Sequence, residues 1–319
     1  MFWLTWRQHR AQMLVTASFL LALGALLLGS AIEAAVYAAA HAPPGCPGPS
    51  VACAEVGAGL SARYQAVYSL YGWMPLLAPA LIGAFWGAPL LGREYERGTH
   101  LLAWTQSVSP ARWLAVKLGV LGGAVALGGL ALSAMATAWR ASFPDSVAGT
   151  WFGNLGVFNM VGVVPAAWWA FAFATGAAAG AFLRRTLPAM AVTVAVVAAA
   201  VFGLFSLSDH YAEPARTVTT DRAAVFARDS RLLREAWVAP SGAETEAVPM
   251  TVCPSPPDAG RSGRNAEARE RCLFQAGYRL AVYHHPPERF WRFQWIEAGI
   301  LLAASAVLGA AAVARTLRR

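Results

Sequence analysis

Six apolar runs decide what this chain can become. They cover about Met13 to Ala35, Ser69 to Leu91, Leu114 to Trp139, Gly156 to Leu183, Leu187 to Leu207 and Trp295 to Ala314, and each is nearly free of charge. A helix of about 20 apolar residues crosses roughly 30 Å of hydrocarbon. Lipid offers no hydrogen bonds, so a run of this kind must satisfy its backbone internally, as a helix does. The expected fold is therefore an all-α polytopic membrane protein with six transmembrane helices. Only 13% of the 319 residues are charged, against about 25% in a soluble domain.

Sidedness follows from where the bases fall. With both termini in the cytoplasm, the short inner segments hold Arg7, Arg10, Arg93, Arg97, Arg112, Lys117, Arg184, Arg185, Arg315, Arg318 and Arg319. The short outer loops then hold only Arg63 and Arg140. Short loops are the ones whose Lys and Arg orient a membrane protein. This arrangement predicts cytoplasmic termini, a cytoplasmic loop 92–117 and an extracytoplasmic domain over 208–292. The expected location is a bacterial plasma membrane, crossed several times, with lipid as a partner.

Between the runs the chain has distinct segments. Residues 1–12 mix Phe2, Trp3, Leu4 and Trp6 with Arg7, His9 and Arg10, which suits an interfacial helix on the cytoplasmic surface. Helices one to five and loop 92–117 occupy 13–207; the sixth helix and a basic tail occupy 293–319. The stretch after His41 is rich in Pro and Gly and reads as loop through Gly59. Pro75, Pro79 and Pro89 predict kinks in the second run. Gly119 with Gly123, and Gly176 with Gly180, form small-residue pairs at a spacing that lets membrane helices approach closely. In 208–292, Asp221 to Trp237 and Asn265 to Tyr283 read as helices, with Pro240 to Arg264 as loop. Acids and bases nearly balance in this segment, so nucleic acid is not an expected partner. Cys46, Cys53, Cys253 and Cys272 all fall on the outer side. Local pairing, Cys46 with Cys53 and Cys253 with Cys272, is the simplest disulfide pattern, and free thiols are the alternative.

Several chemistries are excluded. A P-loop ends in Gly-Lys-Ser or Gly-Lys-Thr. The single lysine, Lys117, stands between Val116 and Leu118, so this chain cannot hydrolyse ATP by that route. His-Glu-x-x-His is missing, and the adjacent His284 and His285 read as packing beside Pro286 rather than as metal ligands. No metal and no cofactor is expected. Glu297 is the one carboxylate well inside a run. It is a candidate for a gating or substrate-path role, or an anion near water at a helix start, where the dipole favours it.

The polar stretch Gly92 to Lys117, GREYERGTHLLAWTQSVSPARWLAVK, stands apart from the runs that flank it. Ser109-Pro110 closes it with a good helix start. The order Glu94-x-Glu96-x-Gly98-Thr99, Leu101-Leu102, Ser107-Val108-Ser109-Pro110-x-Arg112 and Lys117-Leu118 resembles the first cytoplasmic loop of ABC-2-type ABC transporter permeases. The segment Tyr283 to Glu297, with Arg289-Phe290-Trp291 and Phe293-Gln294-Trp295, resembles permeases of high-GC actinobacteria. The resemblance implies a non-catalytic permease subunit, an exporter rather than an enzyme, driven by a separate ABC ATPase subunit. It implies a homodimer or heterodimer of permeases. Glu94, Glu96, Gly98 and Thr99 take the coupling positions, and Leu101 and Leu102 would dock the ATPase. The alternative for Glu94 and Glu96 is a solvated loop paired with Arg93 and Arg97. Two other functions stay open at this point: a polytopic membrane enzyme acting on lipid or cell-wall precursors, and a sensor whose 208–292 domain binds a ligand.

Overall fold

The computed structural model describes residues 2–42, 51–98, 109–141, 152–220, 230–253 and 263–317. The chain divides into two compact units, one of 1–149, 155–208 and 291–319, the other of 150–154 and 209–290.

The first unit is helical. Its elements are α1 (Phe2–His41), α2 (Val51–Arg63), α3 (Gln65–Ile82), a π-helical turn (Gly83–Gly87), α4 (Ala88–Glu96), α5 (Pro110–Ala141), the short α6 (Leu155–Phe158), α7 (Val164–Leu183), α8 (Thr186–Leu207) and α10 (Phe290–Leu317). Among the described residues, six helical stretches are long and apolar enough to cross a membrane: His9–His41, Gly72–Glu96, Pro110–Ala141, Val164–Leu183, Thr186–His210 and Pro287–Leu317. The unit is built around α7, which buries small and aromatic residues on every side, among them Ala172, Ala177, Ala181, Trp168 and Phe173. A helix apolar all round belongs in the middle of a bundle. It packs on α3, the π turn, α4, α5 and α8.

Four boundaries differ from the expectation. Helix α1 runs unbroken from residue 2, so nothing separates a surface helix 1–12 from the first span; the side chains of Phe2, Trp3, Leu4 and Trp6 lie outside the described residues. The supposed loop after His41 is helical from Val51, because the Pro-Gly cluster stops at Pro49 and an Ala-rich stretch follows. The second span does not end at Leu91 but continues to Glu96. The fourth run is not one helix: α6 ends at Phe158, 159–163 is non-helical, and α7 starts at Val164. Gly162 at φ 72° turns the chain, and Pro165 sits in the first turn of α7, where its missing N–H costs nothing.

The second unit corrects the all-helical expectation. It contains an antiparallel four-stranded sheet, β1 (Ala215–Thr219), β2 (Arg231–Val238), β3 (Glu244–Thr245) and β4 (Arg279–His285), in the order β1-β4-β2-β3. The helices expected to reach Trp237 and Tyr283 give way to strand pairing over 231–237 and 279–283, with Leu280 opposite both Thr219 and Trp237, while residues 221–229 lie outside the described residues. The helix expected from Asn265 is present among the described residues as α9 (Gly263–Gln275). It stops because Gly277 adopts φ 85°. Tyr278 N–H then reaches Leu273 O at 2.9 Å and Gly277 N–H reaches Phe274 O at 3.1 Å, the bond pair of a Schellman cap. Phe274 and Trp237 pack on Leu280 and Val282. Cys253 and Cys272 form a disulfide across a Cα separation of 6.0 Å, beside Val248, Leu273 and Tyr278. Arg269 donates to Val248 O and Cys253 O, each at 2.6 Å. Cys46 lies outside the described residues.

His284 and His285 are neighbours on β4, so their rings project to opposite faces of the sheet and cannot share one metal ion. His285 is fully buried. Its Nδ1 accepts from Arg289 Nη1 at 3.2 Å and its Nε2 donates to Asp209 O at 3.0 Å. An arginine can only donate, so the ring is neutral. Burial, with Arg289 and Arg231 nearby, lowers the proton affinity of His285, and burial with Arg289 does the same to His284. A histidine depressed in the folded state contributes full stability above its unfolded value, about 6.5. That contribution is lost as pH falls through the window below it. Glu244, held low by hydrogen bonds from Tyr283 and Arg216, continues the loss in the acid carboxylate range. Melting of the protein followed by tryptophan fluorescence should give a lower midpoint for this unit at pH 5 than at pH 7.5. An unchanged midpoint in a His284→Gln, His285→Gln control would confirm the origin.

Candidate functional site

The polar stretch is anchored at its base by groups on three helices. Pro89 has no N–H for the carbonyl four residues back, Phe85. Gln12 on α1 donates its Nε2 to that carbonyl at 2.9 Å, and His9 Nδ1 bonds Gln12 Oε1 at 2.7 Å. Trp86 Nε1 donates to Thr16 Oγ1 at 3.1 Å. The π turn and α4 are thus held against α1 where their own backbone bonding is weakest.

Glycines set the other contact. A Cβ on Gly176 would lie 2.2 Å from Gly83 O and 2.6 Å from Ala88 N; one on Gly180 would lie 2.6 Å from Ala88 O; one on Gly87 would lie 2.4 Å from Phe173 O. Backbone touches backbone along this crossing of α7 with the π turn and α4. The second small-residue pair is different, for Gly119 and Gly123 have nothing within 4 Å of a built Cβ.

At its end α4 carries two carboxylates, Glu94 partly buried and Glu96 exposed. Glu94 Oε1 accepts from Lys117 Nζ on α5 at 2.7 Å, with Lys117 3% and Glu94 18% exposed. The ammonium also lies 4.4 Å from the centroid of the Trp113 ring, a cation–π contact. Glu96 accepts from the Thr186 N–H at 2.9 Å and from Thr186 Oγ1 at 2.7 Å. Thr186 is the first residue of α8, preceded by extended Arg185. A carboxylate there satisfies an orphan donor and faces the positive end of the helix. Only Arg184, at φ 54°, and Arg185 join α7 to α8, and the Arg184 guanidinium lies 5.2 Å from the Tyr95 ring.

The chain leaves α4 through Arg97, whose N–H bonds Arg93 O at 3.1 Å, and through Gly98 at φ 65°. Thr99, Leu101 and Leu102 lie outside the described residues. The chain re-enters α5 at Pro110, with Ser109 Oγ accepting from Arg112 N–H at 3.3 Å. Glu94 and Glu96 therefore stand on a helix, not in a loop; Lys117 bonds Glu94 and Thr186 bonds Glu96, with Arg185 and Arg97 near Glu96. They tie both arms of the stretch and the α7–α8 turn into one base. Sequence reasoning missed Gln12 and Thr186. Lys117 carried a signal, being the single lysine, yet it was read through the missing P-loop, the charge bias and the loop pattern, and not as a partner of Glu94.

At the other end of the bundle Glu297 is 1% exposed and seven residues inside α10. It is not the water-facing anion of a helix start. Glu297 Oε1 accepts from Trp168 Nε1 at 3.1 Å, and the same N–H reaches Asn159 Oδ1 at 3.0 Å.

Neither the curated proteins nor the solved structures contain a match to this sequence. A family model described as ABC-2 membrane transporter related matches residues 17–207, from α1 through α8. That match spans more than half of the 319 residues, and it places the chain in the ABC-2 membrane transporter related family, as a multi-pass membrane permease of ABC-2 type.

Proposed function

We propose that this chain is the permease subunit of an ATP-driven exporter in the cell membrane, powered by a separate ABC ATPase that pushes on loop 92–117. Both termini and the loop face the cytoplasm, and 208–292 is an extracytoplasmic domain. Two permease chains, identical or different, stand on two ATPases. The observation that carries this reading is the base of the loop. A mobile, solvated loop could not transmit force. A loop whose arms are joined by Glu94–Lys117, and joined to α8 by Glu96–Thr186, moves its helices when it moves. Glu94 and Glu96 then act as ties within the permease, and the docking surface falls to the segment with Thr99, Leu101 and Leu102. Nucleotide must be hydrolysed elsewhere, since the chain has no P-loop.

Cysteine labelling tests the geometry. A Thr99→Cys variant should react with a membrane-impermeant maleimide in inside-out vesicles and stay unlabelled in intact cells. Labelling in intact cells would overturn the reading. Purification from native membranes should bring down a P-loop ATPase, and a chain that moves cargo alone would count equally against it.

A further inference from the structure

One side chain bonds both ends of the break before α7. Gln294 of α10 is fully buried. Its Oε1 accepts from the Val163 N–H at 3.0 Å and the Val164 N–H at 3.1 Å, and its Nε2 donates to Phe158 O at 2.9 Å. One amide thus satisfies donors at the start of α7 and an acceptor at the end of α6, across 159–163 where helix bonds stop. Gly162 is shaped around it: a Cβ there would lie 2.5 Å from Gln294 Oε1. Ser133 Oγ on α5 donates to Gly162 O at 2.7 Å. Non-helical backbone at this depth is tolerated only when protein groups satisfy it.

Directly beside this turn lies a cavity of about 10 Å³, lined by Met74, Pro75, Pro79, Met160, Trp168 and Trp169 among others. That is about the size of one water, but its lining surface is apolar and offers a water no partner while the turn stays bonded to Gln294. Its wall on one side is α3, with two internal prolines whose missing N–H groups leave it open to bending. Its wall on the other is the Gln294-held turn.

We propose that Gln294 is a positioning residue for transport, whose amide holds the start of α7 in place beside this cavity, so that its release frees the turn's backbone groups and admits water there. The inference rests on the permease reading. The amide is a reversible latch because its three partners are backbone groups that can exchange to water when the turn moves. Gly162 makes room for it, and Trp168 links the same turn, through Asn159, to Glu297 on α10.

The test uses the purified full chain in nanodiscs, where both faces are accessible, and a water-soluble maleimide. No cysteine is free among the described residues, and labelling of the parent chain is subtracted as background. Met160→Cys reports on the cavity and Val201→Cys, buried in α8, reports general loosening. Adding Gln294→Leu should raise the labelling rate at position 160 on the order of tenfold and leave position 201 unchanged. Gln294→Glu keeps the acceptors and loses the donor, so it should fall between. Where Gln294→Leu fails to give a monodisperse protein, Gly162→Ala displaces the amide while retaining it and carries the same expectation. An unchanged rate at 160 in the folded variant overturns the proposal, as does an equal rise at 201. The assay needs neither ATPase nor cargo, so its failure leaves the proposed function standing, and a missing ATPase leaves this result untouched.

Discussion

A Lys117→Met variant should lose about 3 kcal/mol of stability and uncouple the protein from its ATPase. Removing one partner of a buried ion pair leaves the other charge in a poor solvent, and such single truncations cost about 3–5 kcal/mol. The lower end applies because Glu94 keeps 18% exposure while Lys117 keeps 3%. The variant also loses the cation over Trp113. A thermal midpoint of the detergent-purified chain measures the first effect, and ATP hydrolysis by the assembled complex measures the second.

The paired variant separates stability from coupling. Replacing both charges, as in Glu94→Leu with Lys117→Met, removes the carboxylate that lost its lysine and should restore most of the midpoint, since an apolar pair of similar size is often no worse than a buried salt bridge. The tie between α4 and α5 would still be weaker, being no longer directional. Transport should therefore stay low in the double variant although the fold recovers. Full activity in either variant would show that the loop is driven without this tie.

How far the sequence reaches is shown by individual residues. The spans were legible because about twenty apolar residues permit little else in lipid. The start of α5 was legible because Ser109 and Pro110 act locally. The break before α7 was not, because 156–183 carries no charge and its partner, Gln294, is over a hundred residues away. Strand β2 was read as a helix for the same kind of reason. Leu232 and Trp237 fit a helical period loosely, and only pairing with β4 makes them a strand. The end of α9 was legible in principle, for Gly277 interrupts the supposed helix and a glycine at that place is the ordinary stop. Glu94 and Glu96 stood out in sequence as a pattern, but their partners, Lys117 and Thr186, required the packed helices. The two small-residue pairs look alike in sequence, and only the structure separates the crossing at Gly176 and Gly180 from the open face at Gly119 and Gly123.

That last difference sets the second large effect. A Gly176→Leu variant should fail to fold into a monodisperse species, whereas Gly119→Leu and Gly123→Leu in the isolated chain should purify and melt as the parent does. At 176 the added carbon meets Gly83 O, Ala88 N and the Gly87 Cα, all backbone atoms that no rotamer can move aside. Relief would require α7 to separate from the π turn and α4. In lipid no hydrophobic force opposes that separation, because association rests on close packing and hydrogen bonds. Overpacking in a well-filled core costs about 1–3 kcal/mol when neighbours can shift. Gly176→Ala, which adds only the Cβ, should fall in or above that range. The leucine exceeds it, since α7 is the helix on which the others pack. Size-exclusion profiles and melting midpoints of the four variants decide the matter. A well-behaved Gly176→Leu protein would mean that α7 and α4 do not meet at these glycines, and the rigid base proposed for the loop would lose its inner wall.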